Sequence, residues 1–95
     1  MALPPADFVL LDGQTETVII ENDNMVTVAP NPRGGVTYSI IVTVRGVPFV
    51  LNGGKRLYRV IYPILMQNKW PAAIQVTAIG APGSMARDWK AVRLP

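Results

Sequence analysis

The chain has 95 residues, of which 49% are hydrophobic and 16% charged, with no Cys, no His and a formal charge of +3. This length fits one domain; the missing Cys excludes disulfide frameworks, thiol nucleophiles and Cys-based zinc sites, and the missing His removes the commonest general base and metal ligand. A mean hydropathy of +0.27 with so few charges also excludes a disordered chain.

Residues 1–7 contain Pro4 and Pro5, too much proline for a central strand, so an extended N-terminal arm lying on a neighbour, or equally a disordered segment, is expected there, ahead of a single β domain over residues 8–95. This start lacks the basic region of a secretory signal. No apolar run approaches the roughly 20 residues of a membrane-spanning helix, so the expectation is a protein made in the cytoplasm, with no membrane partner. Phe8 to Leu11 and Thr17 to Glu21 read as short strands, and Asp12-Gly13 between them offers the positive φ of a hairpin turn. A polar break at Glu21-Asn22-Asp23-Asn24 precedes a strand over Met25 to Ala29, and Pro30 to Gly35 reads as a loop.

The clearest element follows. Val36, Tyr38, Ile40, Val42 and Val44 alternate with Thr37, Ser39, Ile41, Thr43 and Arg45, which places the two sets on opposite faces of a strand. Val47 to Leu51 is a further strand, and Asn52-Gly53-Gly54 predicts a second hairpin. That turn leads into a strand with Tyr58, Val60, Tyr62 and Ile64 on one face and Leu57, Arg59 and Ile61 on the other, limited by Pro63. Ile74, Val76 and Ala78 alternate with Gln75, Thr77 and Ile79. After a small-residue loop over Gly80 to Asp88, Trp89 to Leu94 is the last strand. No stretch shows helical spacing free of Pro, Gly or β-branched runs. The expectation is an all-β fold, one small antiparallel sandwich or barrel of about six to eight short strands. Apolar residues on the nominally polar faces, Ile41, Ile61 and Ile79, imply cover on both sides.

No set of residues with catalytic spacing emerges. Gly53-Gly54-Lys55-Arg56 is not a phosphate loop, because Phe49 stands where its first glycine belongs and Arg56 replaces the metal-binding hydroxyl. Gly83-Ser84-Met85 is not a nucleophile elbow, since Ala86 takes the place of the second glycine and no His exists to activate the serine. The acid pairs Asp7 with Asp12 and Glu16 with Glu21 lack cleft aromatics and read as solvated strand ends, and the Glu21 to Asn24 cluster lacks the glycine and terminal Glu of a calcium loop. A non-enzymatic protein with no cofactor and no metal site is expected.

Charge is segregated along the chain. Five acids, Asp7, Asp12, Glu16, Glu21 and Asp23, precede the first base, Arg33; all nine bases follow, with Asp88 alone among them. Such asymmetry is offset within the molecule, between neighbouring subunits, or against nucleic acid. Self-association nominates Arg33 in the long loop, Trp70 and Trp89 as anchors, and Arg87, Lys90 and Arg93 as a basic rim. Tryptophan is enriched in cores as well as at interfaces, so both tryptophans are equally candidates for the core. The alternative, a nucleic-acid-binding barrel of OB-like type, nominates Lys55, Arg56, Arg59 and Lys69. In a strand, Tyr58 and Tyr62 share a face that excludes Arg59, which assigns the tyrosines to the core.

The size, the β periodicity and the Pro-bearing arm in Met1 to Phe8 resemble the small all-β decoration or cement proteins on the heads of tailed phages. The resemblance implies a homo-oligomer that stabilises a capsid or another part of a virion without catalysis. It transfers no role to individual residues.

Overall fold

The computed structural model describes residues 5–95, so the first four residues of the expected arm lie outside the described residues. The chain runs through β1 (Ala6–Asp7), β2 (Thr15–Ile20), a 3-10 turn (Asp23–Met25), β3 (Val26–Pro30), β4 (Val36–Val44), β5 (Val47–Leu51), α1 (Gly54–Leu65), β6 (Ala72–Ile79) and β7 (Asp88–Arg93). The fold is mostly β. Its seven strands form one mixed sheet in the order β1-β5-β4-β2-β6-β7, with β3 beside β4; the sheet is not closed into a barrel and is consistent with a small sandwich. Pairing is antiparallel except at β1, where Ala6 and Asp7 run parallel to Phe49 and Val50 of β5.

Alternation places the core as the sequence pattern requires. Ile40, Val42 and Val44 of β4 and Ile74, Val76 and Ala78 of β6 are buried, together with Val18 and Ile20 of β2, Leu51 of β5 and Trp89 of β7. Register makes these rows one face: Ile40 stands opposite Leu51, Val18 opposite Ile74, and Ala78 opposite Trp89.

What covers that face corrects the expected strand over Tyr58 to Ile64, because this segment is the helix α1. Two periods are written into it. Tyr58, Val60, Tyr62 and Ile64 recur at every second residue, whereas Leu57, Ile61 and Ile64 recur at helical spacing, and it is the latter three that are buried. The helix wins because it places three aliphatic side chains in the core and leaves Lys55, Arg56 and Arg59 in water. Pro63 is accommodated on the exposed side, close to the helix end. Helix α1 packs on both β4 and β7, which β2 and β6 separate in the sheet, so the sheet curls around it. Of the residues expected to need cover on a second face, Ile61 lies in the core on α1, Ile41 is half-buried and Ile79 is exposed.

Neither expected hairpin forms. Asn52-Gly53-Gly54 is instead the entry to α1: Gly54 has φ of +63°, and a Cβ at Gly53 would overlap the Cβ of Leu57. Asp12-Gly13 is a turn, but β1 and β2 are held apart in the sheet by β5 and β4. The connection crosses the sheet's end with Leu10 buried beneath it, and the Gly13 N–H donates to the Ala78 carbonyl at 2.8 Å. The tight hairpin joins β4 to β5 through Arg45-Gly46, whose φ values of 51° and 83° have the sign of a type I′ turn. Pattern reading passes over it because Arg is not a turn residue.

Strands β2 and β3 lie along the same edge of β4, out of register with each other. From Ile19 opposite Thr43 to Val26 opposite Ile40, the β2–β3 side advances seven residues while β4 moves three. The four extra residues are taken up by the polar break around the 3-10 turn, where the Asn24 N–H donates to Asn22 Oδ1 at 2.9 Å. Replacing Gly53 by Ala is expected to lower stability by about 1 to 3 kcal/mol through overpacking against Leu57, read as a lower urea midpoint with an unchanged slope.

Candidate interaction surface

Beyond the body of the sheet, β3 and the first part of β4 continue as a two-stranded ribbon. The pairing of β4 with β5 begins only at Ile40, and β3 has no second neighbour among the described residues. Every residue from Thr27 to Thr37 is exposed. The core-facing row of β4 therefore runs out of cover along its own length, from Ile40 at 1% exposure through half-buried Tyr38 to Val36 at 48%. Opposite these residues stand Val26, Val28 and Pro30; Val26 packs on the core and Tyr38 on Tyr58, while Val28 and Val36 are each 48% exposed, so the outer part of the ribbon carries apolar side chains without cover.

Helix α1 meets the ribbon at Tyr38. Its Lys55, Tyr58, Arg59 and Tyr62 are spaced three and four residues apart and form one stripe. This corrects the strand-based assignment of the tyrosines to the core and their separation from Arg59. The Tyr38 and Tyr58 ring centroids lie 4.7 Å apart and those of Tyr58 and Tyr62 5.7 Å apart, with Tyr62 45% exposed. A hollow of about 270 Å³ lies among these three rings, Lys55 and Arg59. It adjoins a groove of about 490 Å³ between Gly35 to Tyr38 on the ribbon and Asn52, Gly54 and Lys55 at the start of α1. No carboxylate lines either one.

The candidates from the sequence divide around this surface. Arg33 lies at the ribbon tip, with its backbone N–H donating to Asn31 Oδ1 at 2.9 Å. Trp70 lies at the ribbon root, in an open groove of about 330 Å³ that Val26, Leu65 and Met66 also line, and its Nε1 donates to Asn68 Oδ1 at 2.9 Å. Trp89 is 3% exposed and belongs to this chain's own core, which removes it as an interface anchor. Arg87 is a clasp rather than a rim: Nη1 donates to the Gly80 carbonyl at 3.0 Å, Nη2 donates to the Leu10 carbonyl, and the guanidinium lies 4.7 Å from the Trp89 ring centre. Arg93 Nη2 donates to the Lys69 carbonyl at 3.0 Å, and its Nη1 is buried without a protein partner. Lys90 is exposed on β7, at the far end of the strand order from β1. Of the second set, Lys55 and Arg59 share the tyrosine stripe. Arg56 instead donates to the Arg87 carbonyl at 2.9 Å, and Lys69 is exposed beyond α1.

Among the described residues, one ion pair joins the segregated charges, Arg45 with Glu16 at 3.5 Å on the surface. Asp7 Oδ1 accepts from Asn52 Nδ2 and Asp12 Oδ1 accepts from the Gly80 N–H, each at 2.8 Å, so both acids bond neutral groups. The tyrosine stripe escaped the sequence reading because it exists only at helical spacing; Leu57, Ile61 and Ile64 were the signal that reveals it.

No protein-family model matches the chain, and neither does any curated protein or solved structure. Arg87→Ala should lower stability by about 2 to 4 kcal/mol, because two carbonyls lose charged donors. Arg87→Lys should restore only part of the loss, since an ammonium lacks the planar fork; urea denaturation of the three proteins measures both effects.

Proposed function

We propose that the chain is a non-enzymatic assembly module whose copies associate through the ribbon and stabilise a larger particle. The particle its size, periodicity and Pro-bearing arm suggest is a virion, with the module as a capsid decoration or another virion component. One observation carries this reading: the core-facing row of β4 runs past Tyr38, which packs on Tyr58, to Val36, and Val36 and the Val28 that faces Tyr38 are each left 48% exposed. A two-stranded ribbon is marginally stable by itself, and open strand edges beside an apolar face recruit further strands or side chains. Burial of that face against a neighbouring copy supplies the missing cover, and the segregated charges set orientation more than affinity.

A second reading, a module for single-stranded nucleic acid, is favoured by the tyrosine stripe with Lys55 and Arg59, since stacked rings among cations are a platform for bases. Light scattering on a sizing column with absorbance at 260 and 280 nm separates the two. The assembly reading expects a discrete oligomer free of nucleic acid in moderate salt. It also expects Val28→Lys combined with Val36→Lys to give a smaller species while stability changes by less than about 0.5 kcal/mol per site. A wild-type chain that stays monomeric at every concentration overturns the assembly reading, and retention of short oligonucleotides that is lost with added salt favours the second.

A further inference from the structure

The groove between the ribbon and α1 calls for a complement that is both apolar and acidic. Val36, Tyr38, Tyr58 and Tyr62 form its walls, its Lys55 and Arg59 make no ion pair among the described residues, and it contains no carboxylate. The same chain presents such a complement elsewhere. Between β1 and β2, side chains alternate: Phe8 packs against the core and Leu10 is buried, while Val9 and Leu11 are 62% and 64% exposed. Exposed Asp7 and Asp12 bracket this ridge. The ridge is held in place, because the Phe8 N–H donates to the Val50 carbonyl at 2.8 Å and the Leu11 N–H donates to Gln14 Oε1 at 2.9 Å. Arg87 fixes the Leu10 carbonyl from the other side. An apolar ridge already ordered loses little freedom on docking.

Ridge and groove approach each other at Asn52, which lines the groove and donates to Asp7 at 2.8 Å. The side chains of Val9 and Leu11 point outward from a segment fastened by Val50, Gln14 and Arg87, so one molecule does not swing its own ridge into its own groove. We infer that the Val9–Leu11 ridge of one copy seats in the tyrosine groove of the next, with the Asp7 and Asp12 carboxylates facing Lys55 and Arg59. This inference rests on the assembly reading and gives it a direction. The contact joins two different patches, so it is heterologous: each copy offers one ridge and one groove, and association continues past a pair into a ring or a filament.

Two variants at exposed positions test it: Val9→Lys with Leu11→Lys removes the ridge, and Arg59→Glu with Tyr62→Lys removes the groove. Thermal melting by circular dichroism first verifies that both fold. The wild type should assemble beyond a dimer, and each variant alone should lose association by at least about 10-fold in midpoint concentration, as expected for one mismatched charged contact. An equimolar mixture of the two should form a one-to-one pair that grows no further, because a single matched ridge and groove remains. A mixture that fails to pair overturns the head-to-tail contact. Variants that assemble like the wild type overturn it while leaving the assembly reading intact, whereas a monomeric wild type overturns both. Fluorescence anisotropy with labelled oligothymidylate supplies the last arm: binding abolished by the groove variant, with assembly unaffected by the ridge variant, gives the groove to nucleic acid and overturns the contact between copies.

Discussion

Leu57, Ile61 and Ile64 on α1 form the stripe around which the sheet curls, and the reach of that helix sets how much of the apolar face is covered. Helix α1 packs on both β4 and β7, and along β4 its cover extends no further than Tyr38. Its shortfall separates body from ribbon: Val44, Val42 and Ile40 are sealed, Tyr38 is shared with the tyrosines of α1, and Val36 is bare. Core and interaction surface are thus two portions of a single alternating pattern.

The basic residues perform two physically different tasks. Arg56, Arg87 and Arg93 each donate to a main-chain carbonyl, which lets a flat, weakly hydrated fork fasten loops to the sheet and helix. Those charges serve the fold and are only partly available to a partner. Lys55 and Arg59 make no such bond among the described residues, and they are the cations beside exposed aromatic surface. A positive balance over the last two thirds of the chain thus overstates how much charge faces outward for recognition.

Strict alternation made β4 and β6 legible, because one face is buried and a slip of one residue would turn every apolar side chain outward. The helix was not legible in the same way. Its β-branched Val60, Ile61 and Ile64 point toward a strand and Pro63 counts against a helix, and only the cover gained by seating Leu57, Ile61 and Ile64 against the sheet decides the contest. That one substitution of period moved Tyr58 and Tyr62 from core to surface and brought Arg59 beside them. Trp89 shows the converse: tryptophan suits a core and an interface equally, and register opposite Ala78 places this one in the core. Arg33 and Trp70 could be named from composition, but their places at the tip and root of one ribbon depend on pairings between residues distant in sequence.

The jump in register at the 3-10 turn bears on cooperativity. Strand β2 pairs with β6 over its full length and touches β4 only near Ile19, while β3 pairs with β4 alone. The two ladders share no continuous row of hydrogen bonds across the polar break. Opening of the ribbon consequently leaves β2 fastened to β6, and the molecule holds a small unit of low local stability next to a core that melts as a whole. Order in that unit can be gained or lost without disturbing the core, which makes its folding separable from that of the domain.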